Sequence, residues 1–513
     1  MPQHTAPAVV RRAGGGSTRE FAAAAVLVVS VAVLRGVAFL VWEHASFDSD
    51  QAVTGLMAKH LIEGRAFPLF YYGQNYLLAV QAWLAAPVFL ATGPTVAALK
   101  LPLVLLNATT ALVLLRVLSH DLGLRPWLAV MASAFFVAAP PGTAAQLVSA
   151  LGASVEPFLY VLLIWLLRDR PLWQGAVLGV GFLQREFTAY GFIAFVAVLA
   201  LDGTLFRRAR AAKIAAALGA AIAVWLAVAA LRPFSSGAGP GTTPLDVAGA
   251  ANNLRGLLDR VCTDPSRIAS GFGTLLGSYL GLPLGLTPAR LSGFLVNSRL
   301  YQGLTWAWPV FAAGCLAGLV RAAVLARRRG VRATVRDAGA AIYLVVVGAL
   351  AAAGYTVGRC GDLQIETVRY VLLALLMPVG LAGAWLRLEP RPAIRAAIVG
   401  VIAAWSAVSV AGHARLLNEY VRDRPPAYRR ALTDYLVQRR IRLVRTDYWT
   451  GYQVAFLSQE RVVADTDGVW RVLQYHRWAE QRPHAVWYVG RGPCANRGEE
   501  AVPGVYWVCD PPD

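Results

Sequence analysis

The sequence predicts a mainly α-helical, polytopic membrane protein with a small α/β domain at its C-terminal end. Three observations carry that prediction. Of 513 residues, 57% are hydrophobic and 15% charged, against roughly 45–50% and 25% in an average soluble chain. The apolar residues fall in long runs separated by short basic loops, as membrane spans do. After residue 411 the runs shorten and charge returns. This composition excludes an ordinary soluble enzyme, a disordered chain and a small disulfide scaffold. The net charge is +19, and only Lys59, Lys100 and Lys213 among its 48 basic residues are lysines. On a soluble chain such a balance would suggest nucleic acid. On a membrane chain it is first an orientation signal, and no nucleic-acid partner is expected.

A spanning helix requires about 20 mostly apolar residues. The first run, 21–42, follows a basic head carrying Arg11, Arg12 and Arg19. It is longer than a signal-peptide core and no small-residue cleavage site follows, so it reads as a retained helix. Further runs lie at 96–116, 126–140, 154–168, 172–184, 187–201, 212–232, 303–326, 338–355, 370–388 and 393–411, those at 126–140 and 172–184 being short. Together these make about eleven spans.

Basic loops follow at Arg116–Arg125, Arg168–Arg170, Arg207–Lys213, Arg327–Arg336 and Arg387–Arg395. Cytoplasmic loops collect Lys and Arg. With eleven spans and the N-terminus inside, all of these loops are cytoplasmic. Counting the apolar stretch 76–93 as a span would turn every later loop outward, so it reads as an interfacial or half-inserted helix. Three segments then lie outside: 43–95, 233–302 and everything after 412. The expected division is a membrane body, 1–411, and an extracytoplasmic α/β domain, 412–513. Abundant Arg and Ala with almost no Lys fit a GC-rich bacterial genome, hence a bacterial inner membrane.

The last hundred or so residues form a domain of ordinary size. A helix is expected over 428–440 and strands near 441–445, 462–464, 484–489 and 505–508. No GxGxxG or P-loop pattern is present, so no nucleotide is assigned. Cys494 and Cys509 lie in this domain, Cys262 and Cys360 in outer loops, and Cys315 within a span. Disulfides persist in oxidising space, so Cys494–Cys509 is the favoured pair and Cys262–Cys360 a second. Free thiols are the alternative.

Ionisable groups at membrane depth are costly and usually functional. Here they gather at the outer face: Asp48 and Asp50 after the first span, Glu156 opening the fourth, Arg185 and Glu186 at an outer turn, and Arg359, Asp362, Glu366 and Arg369 before the tenth. Each alone could be a solvated loop end. Carboxylates serve as general bases, and arginines bind phosphate in forked geometry. An outer site has no cytosolic nucleotide sugar, so an activated group there must come from a lipid such as a polyprenyl-phosphate sugar.

The run from Phe47-Asp-Ser-Asp-Gln-Ala52 to Gly64, then Pro68, Tyr71-Tyr-Gly-Gln-Asn-Tyr76 and Ala85–Gly93, resembles the first outer loop of GT-C glycosyltransferases. It is similar to the branch holding protein O-mannosyltransferases and the lipid A aminoarabinose transferase. That branch often opens a late span with Arg-Tyr, matched by Arg369-Tyr370. The resemblance covers the membrane body and implies an inverting transfer from a polyprenyl-phosphate sugar to an acceptor hydroxyl on a lipid, glycan or protein. It implies Asp50 as general base, with Gln51 where the family usually has Glu and Asp48 as the carboxylate that could compensate. Arg185, Arg359 and Arg369 are the candidates for the donor phosphate. Tyr72, Gln74, Glu156, Glu186 and Tyr370 are the candidates for substrate contact, interfacial anchoring being the alternative for Tyr72 and Gln74. Asp48-Ser-Asp50 also fits the short Asp-x-Asp metal pattern, but no cofactor is expected and a divalent metal is not favoured. His44 and His60 flank the loop without an assigned role. A transporter or flippase of lipid-linked sugars is the rival reading.

Overall fold

A computed structural model describes residues 17–74, 77–235, 262–286, 307–360, 363, 365–495 and 497–511. The chain is a multi-pass membrane protein whose helices form one bundle. They are α1 Thr18–Val41, α2 Ser49–Ile62, α3 Val80–Thr92, α4 Val96–Arg116, α5 Pro126–Val137, α6 Pro141–Leu147, α7 Glu156–Leu166, α8 Pro171–Gln184, α9 Thr188–Asp202, α10 Arg208–Leu231, α11 Pro265–Thr274, α12 Ala307–Arg329, α13 Val331–Arg359, α14 Leu376–Leu388 and α15 Pro392–Arg422. Each of the eleven expected spans coincides with a helix. Among the described residues seven are long and apolar enough to cross a membrane, or eight if α5 and α6, bent by 81°, count as one. The helices α7, α8 and α9 have only 11, 14 and 15 residues. Seven or eight of the expected spans therefore qualify by length and composition among the described residues, and these shorter helices do not.

The basic loops meet at one end of the bundle. Arg168 pairs with Asp121 at 2.7 Å, Lys213 with Asp169 at 2.8 Å, Arg321 with Glu389 at 3.2 Å and Arg336 with Asp202 at 3.7 Å. Phe21, at the start of α1, packs on His120 at this same end. The segment 43–95 belongs to the other end, where Lys100 donates to Ser46 Oγ at 2.8 Å.

The break between α5 and α6 would leave carbonyls without partners in an apolar setting, where each costs several kcal/mol by rough estimate. Arg35 of α1 resolves this. Its guanidinium donates to the carbonyls of Phe136 and Val137 and to Asn107 Oδ1. An arginine at a helix C-terminus also opposes the negative end of the dipole.

The C-terminal domain begins after α15 with α16 Tyr428–Gln438, followed by β1 Leu443–Thr446, α17 Tyr448–Leu457, β2 Val463–Thr466, α18 Leu473–Glu480, β3 Trp487–Gly490, β4 Gly498–Val502 and β5 Tyr506–Cys509. The sheet order is β2-β1-β3-β5-β4, with β1 parallel to β2 and β3 and the remaining pairs antiparallel. Four strands stand where expected. The fifth, β4, escaped because Gly-Glu-Glu-Ala-Val is a mostly exposed edge strand, and charge on an edge is how sheets avoid mispairing. Cys494 is bonded to Cys509, and Cys262 to Cys360.

The resemblance of residues 47–64 to the first outer loop of GT-C enzymes implies that α2 is a surface helix. It is instead buried over most of its length, because the C-terminal domain covers one side and α3 the other. Phe456 of α17 packs on Phe47 and Phe89, and one apolar core includes Val53 and Leu56 with Tyr452, Phe456 and Tyr475. Gly55 makes this approach feasible: a Cβ there would stand 2.4 Å from the Phe456 ring.

Candidate active site

Asp48 caps α2 by accepting from the Gln51 N–H at 3.0 Å, the role its short side chain favours. The cap sets the first turn, so Asp50 leaves α2 toward Arg369 and the C-terminal domain. Burial, then the charge of Asp50, pushes the Asp48 carboxyl up to about 6. Asp50 Oδ2 lies 3.6 Å from Arg369 Nη1, and Asp50 Oδ1 accepts from the Tyr448 hydroxyl at 2.7 Å. Tyr71 donates to the Asp50 carbonyl at 3.0 Å.

Arg369 and Tyr370 sit on an 11-residue 3₁₀ segment, Ile365–Leu375, that leads into α14. Runs longer than three or four residues are uncommon in this conformation and often mark functional positions. Three guanidinium groups surround the Tyr370 ring: Arg359 at 5.1 Å, Arg369 at 5.2 Å and Arg185 at 5.4 Å from its centre. Arg369 also donates to the Tyr370 hydroxyl at 3.3 Å. The Cys262–Cys360 bond fixes the end of α13 next to Arg359. Among the described residues the buried Nε atoms of Arg185 and Arg369 have no partner. Three like charges around one ring repel each other, and unfilled donors beside them suit an anion.

No family model matches the sequence, and no curated protein does. Two solved structures share its fold. One is ArnT from Cupriavidus metallidurans bound to undecaprenyl phosphate, with TM-score 0.56 and 12% identity over 95% of this chain and 96% of that one. The other is the Archaeoglobus fulgidus oligosaccharyltransferase in the apo form, with TM-score 0.50 and 12% identity over 93% and 70%. The chain has the GT-C fold.

Within this GT-C fold the other expected residues lie in several places. Tyr370 is at the arginine cluster. Glu156 is buried, accepting from the Ser154 N–H at 2.9 Å and Gln184 Nε2 at 3.4 Å, inside a network with Gln81 and Tyr160. Glu186 is half-buried, one residue after Arg185. Tyr72 is buried with its hydroxyl 2.8 Å from His60 Nδ1. Gln74 is half-buried, and its Oε1 has no partner among the described residues. Asp362 and the side chain of Glu366 lie outside the described residues.

His60, unassigned from sequence, belongs to a cluster around Glu460 of the C-terminal domain. Glu460 receives His60 Nε2 at 3.0 Å, Lys59 at 2.6 Å, Tyr475 at 2.7 Å and Arg65. Burial alone would raise this carboxyl, but hydrogen bonds from His60, Arg65 and Lys59 hold it well below the usual carboxylate range. Sequence reasoning missed Tyr448 and Arg471 as site residues, because neither lies in a motif and Tyr448 is 398 positions from Asp50.

Proposed function

We propose that this protein is a glycosyltransferase that moves a sugar from a polyprenyl-phosphate donor to an acceptor hydroxyl. The observation that carries this reading is the convergence of Arg185, Arg359 and Arg369 on Tyr370, with Arg369 in reach of Asp50. Asp50 takes the proton of the acceptor hydroxyl. The acceptor oxygen bonds the anomeric carbon from the face opposite the phosphate, inverting it. The bond from that carbon to the phosphate oxygen breaks, and polyprenyl phosphate leaves with the electron pair. The arginines stabilise the charge that develops on it. The reaction needs no cofactor, and Gln51, an amide, supplies no second acid. Because the basic loops share the opposite end of the bundle, the positive-inside rule supports a reaction at the outer face of a bacterial inner membrane. The likeness to ArnT, solved with undecaprenyl phosphate, supports the same class of donor.

A panel of labelled polyprenyl-phosphate sugars tests the reading in proteoliposomes. One donor is consumed and polyprenyl phosphate released, with no change in EDTA. Asp50→Asn lowers the rate by about a hundredfold or more, the scale of general-base catalysis. Full activity in Asp50→Asn would remove the assigned base. Movement of an intact lipid-linked sugar across the bilayer, without cleavage, would instead make the protein a flippase.

A further inference from the structure

The C-terminal domain extends two side chains into the site, Tyr448 and Arg471. Tyr448 opens α17, whose N-terminus is capped by Asp447 and docked on α2 by a hydrogen bond of 2.7 Å from Ser49 Oγ to the Tyr448 carbonyl. Its hydroxyl donates to Asp50 Oδ1 at 2.7 Å and accepts from Arg471 Nε at 3.4 Å. Burial, then the Asp50 charge, raises this hydroxyl above its ordinary value, so it keeps its proton and donates. The Arg471 guanidinium covers the rings of Tyr71 at 5.3 Å and Tyr448 at 5.8 Å, and donates to the Tyr72 carbonyl at 3.3 Å.

The loop carrying Arg471 is fixed from several directions. Thr466 Oγ1 donates to the Val469 carbonyl at 2.8 Å. The Tyr452 hydroxyl accepts from the N–H groups of Arg471 and Val472 at 2.5 and 3.3 Å. Trp470 stacks on His476 with centroids 3.9 Å apart, and His476 and Arg445 both bond the buried Asp465 at 2.9 and 2.8 Å. A loop held this firmly presents a side chain in one geometry, which is what positioning a reacting group requires.

We propose that Tyr448, buttressed by Arg471, is the positioning residue of the Asp50 carboxylate, so that the C-terminal domain completes the active site. This rests on the reading of Asp50 as the base. Tyr448 fixes Oδ1 and Arg369 fixes Oδ2. The carboxylate plane is then set by the two contacts. The acceptor hydroxyl meets a remaining lone pair and gives its proton to Asp50, which later releases it to water; Tyr448 keeps its own proton throughout. The charged groups facing Asp50 are Asp48 from its own turn, Arg369 from the 3₁₀ segment and Arg471 from the C-terminal domain, with the Tyr71 and Tyr448 hydroxyls beside them.

The test compares wild type, Tyr448→Phe, Arg471→Lys and Asp50→Asn in the same liposomes. It uses the labelled polyprenyl-phosphate hexose or pentose that the wild type consumes. Infrared titration of the carboxyl band lost in Asp50→Asn gives a readout independent of turnover. Removing a hydrogen bond to the ionised form shifts that titration, and the acid limb of kcat/KM, up by roughly half a unit to one unit in Tyr448→Phe. The turnover number falls by roughly ten- to a hundredfold, while KM for the donor stays within about twofold, since only the transition state uses the set geometry. Arg471→Lys gives a smaller shift in the same direction and decides the matter if Tyr448→Phe fails to fold. Unmoved titration and acid limb, with Asp50→Asn inactive, would reduce Tyr448 to a docking contact and overturn the proposal alone. An active Asp50→Asn would overturn the base assignment beneath it.

Discussion

The resemblance implies a second acid where this chain has Gln51, and the contacts of Gln51 suit an amide. Its Nε2 donates to the Ser46 carbonyl at 2.8 Å, while its Oε1 accepts from the Ala150 N–H at 3.3 Å. One side chain thus serves a carbonyl and an N–H, which a carboxylate cannot do. Gln51→Glu is therefore not a restored active pair. It faces the Ser46 carbonyl with an acceptor at a site only 1% exposed, and unfolding experiments should show a loss of about 1–3 kcal/mol or more, with no gain in transfer rate. At this scale the sequence singled out Asp50 through its motif and the arginines through their position before spans, and the structure brings Arg369 within 3.6 Å of Asp50. The sequence concealed Tyr448 and Arg471, which come beside Asp50 only when distant segments meet, and it made His60 look solitary when Glu460 lies 400 residues away.

At the scale of elements, the deciding contact is α2 against α17. The resemblance implied a surface helix here but not its cover, because a helix apolar enough to lie in an interface is also apolar enough to be buried by a domain. Gly55→Ala places a methyl group against Phe456. It should loosen the C-terminal domain and speed its release by limited proteolysis. Adding Phe456→Leu makes room, and the double-mutant cycle should return a coupling of about 1–2 kcal/mol. Additive effects would show that the two residues do not meet. The bend between α5 and α6 was equally hidden: the run at 126–140 reads as one short span, and the carbonyls at the break are served by Arg35 and His413 from other helices.

Over the whole molecule, the apolar runs and basic loops made the bundle, its two ends and the separate final domain legible before any coordinates. The joint between bundle and domain was not legible, since it is built from ordinary core residues and from ions far apart in sequence. Its pH dependence follows from Glu460. A carboxyl held below its ordinary 4.5 contributes stability that is complete above that pH and is lost as the pH falls through the lower folded value. Asp48 acts oppositely: raised from 3.8 to about 6, it costs stability as the pH rises through that value. Thermal unfolding of wild type should therefore fall off below pH 4.5, with Glu460→Gln less stable at pH 7 by about 3–5 kcal/mol, the scale of breaking a buried ion pair. That variant should also show a weaker acid decline. Equal acid declines in both proteins would exclude Glu460 as the titrating contact.

The shared core of α2 and the C-terminal domain also bears on how the protein is made. Asp50 emerges early in synthesis, and its partner Tyr448 comes after every membrane helix. Until those last residues arrive, Asp50 has no tyrosine on Oδ1, and the inner face of α2 has no cover. A chain released early from the ribosome therefore carries Asp50 without Tyr448 and an apolar helix face without its cover.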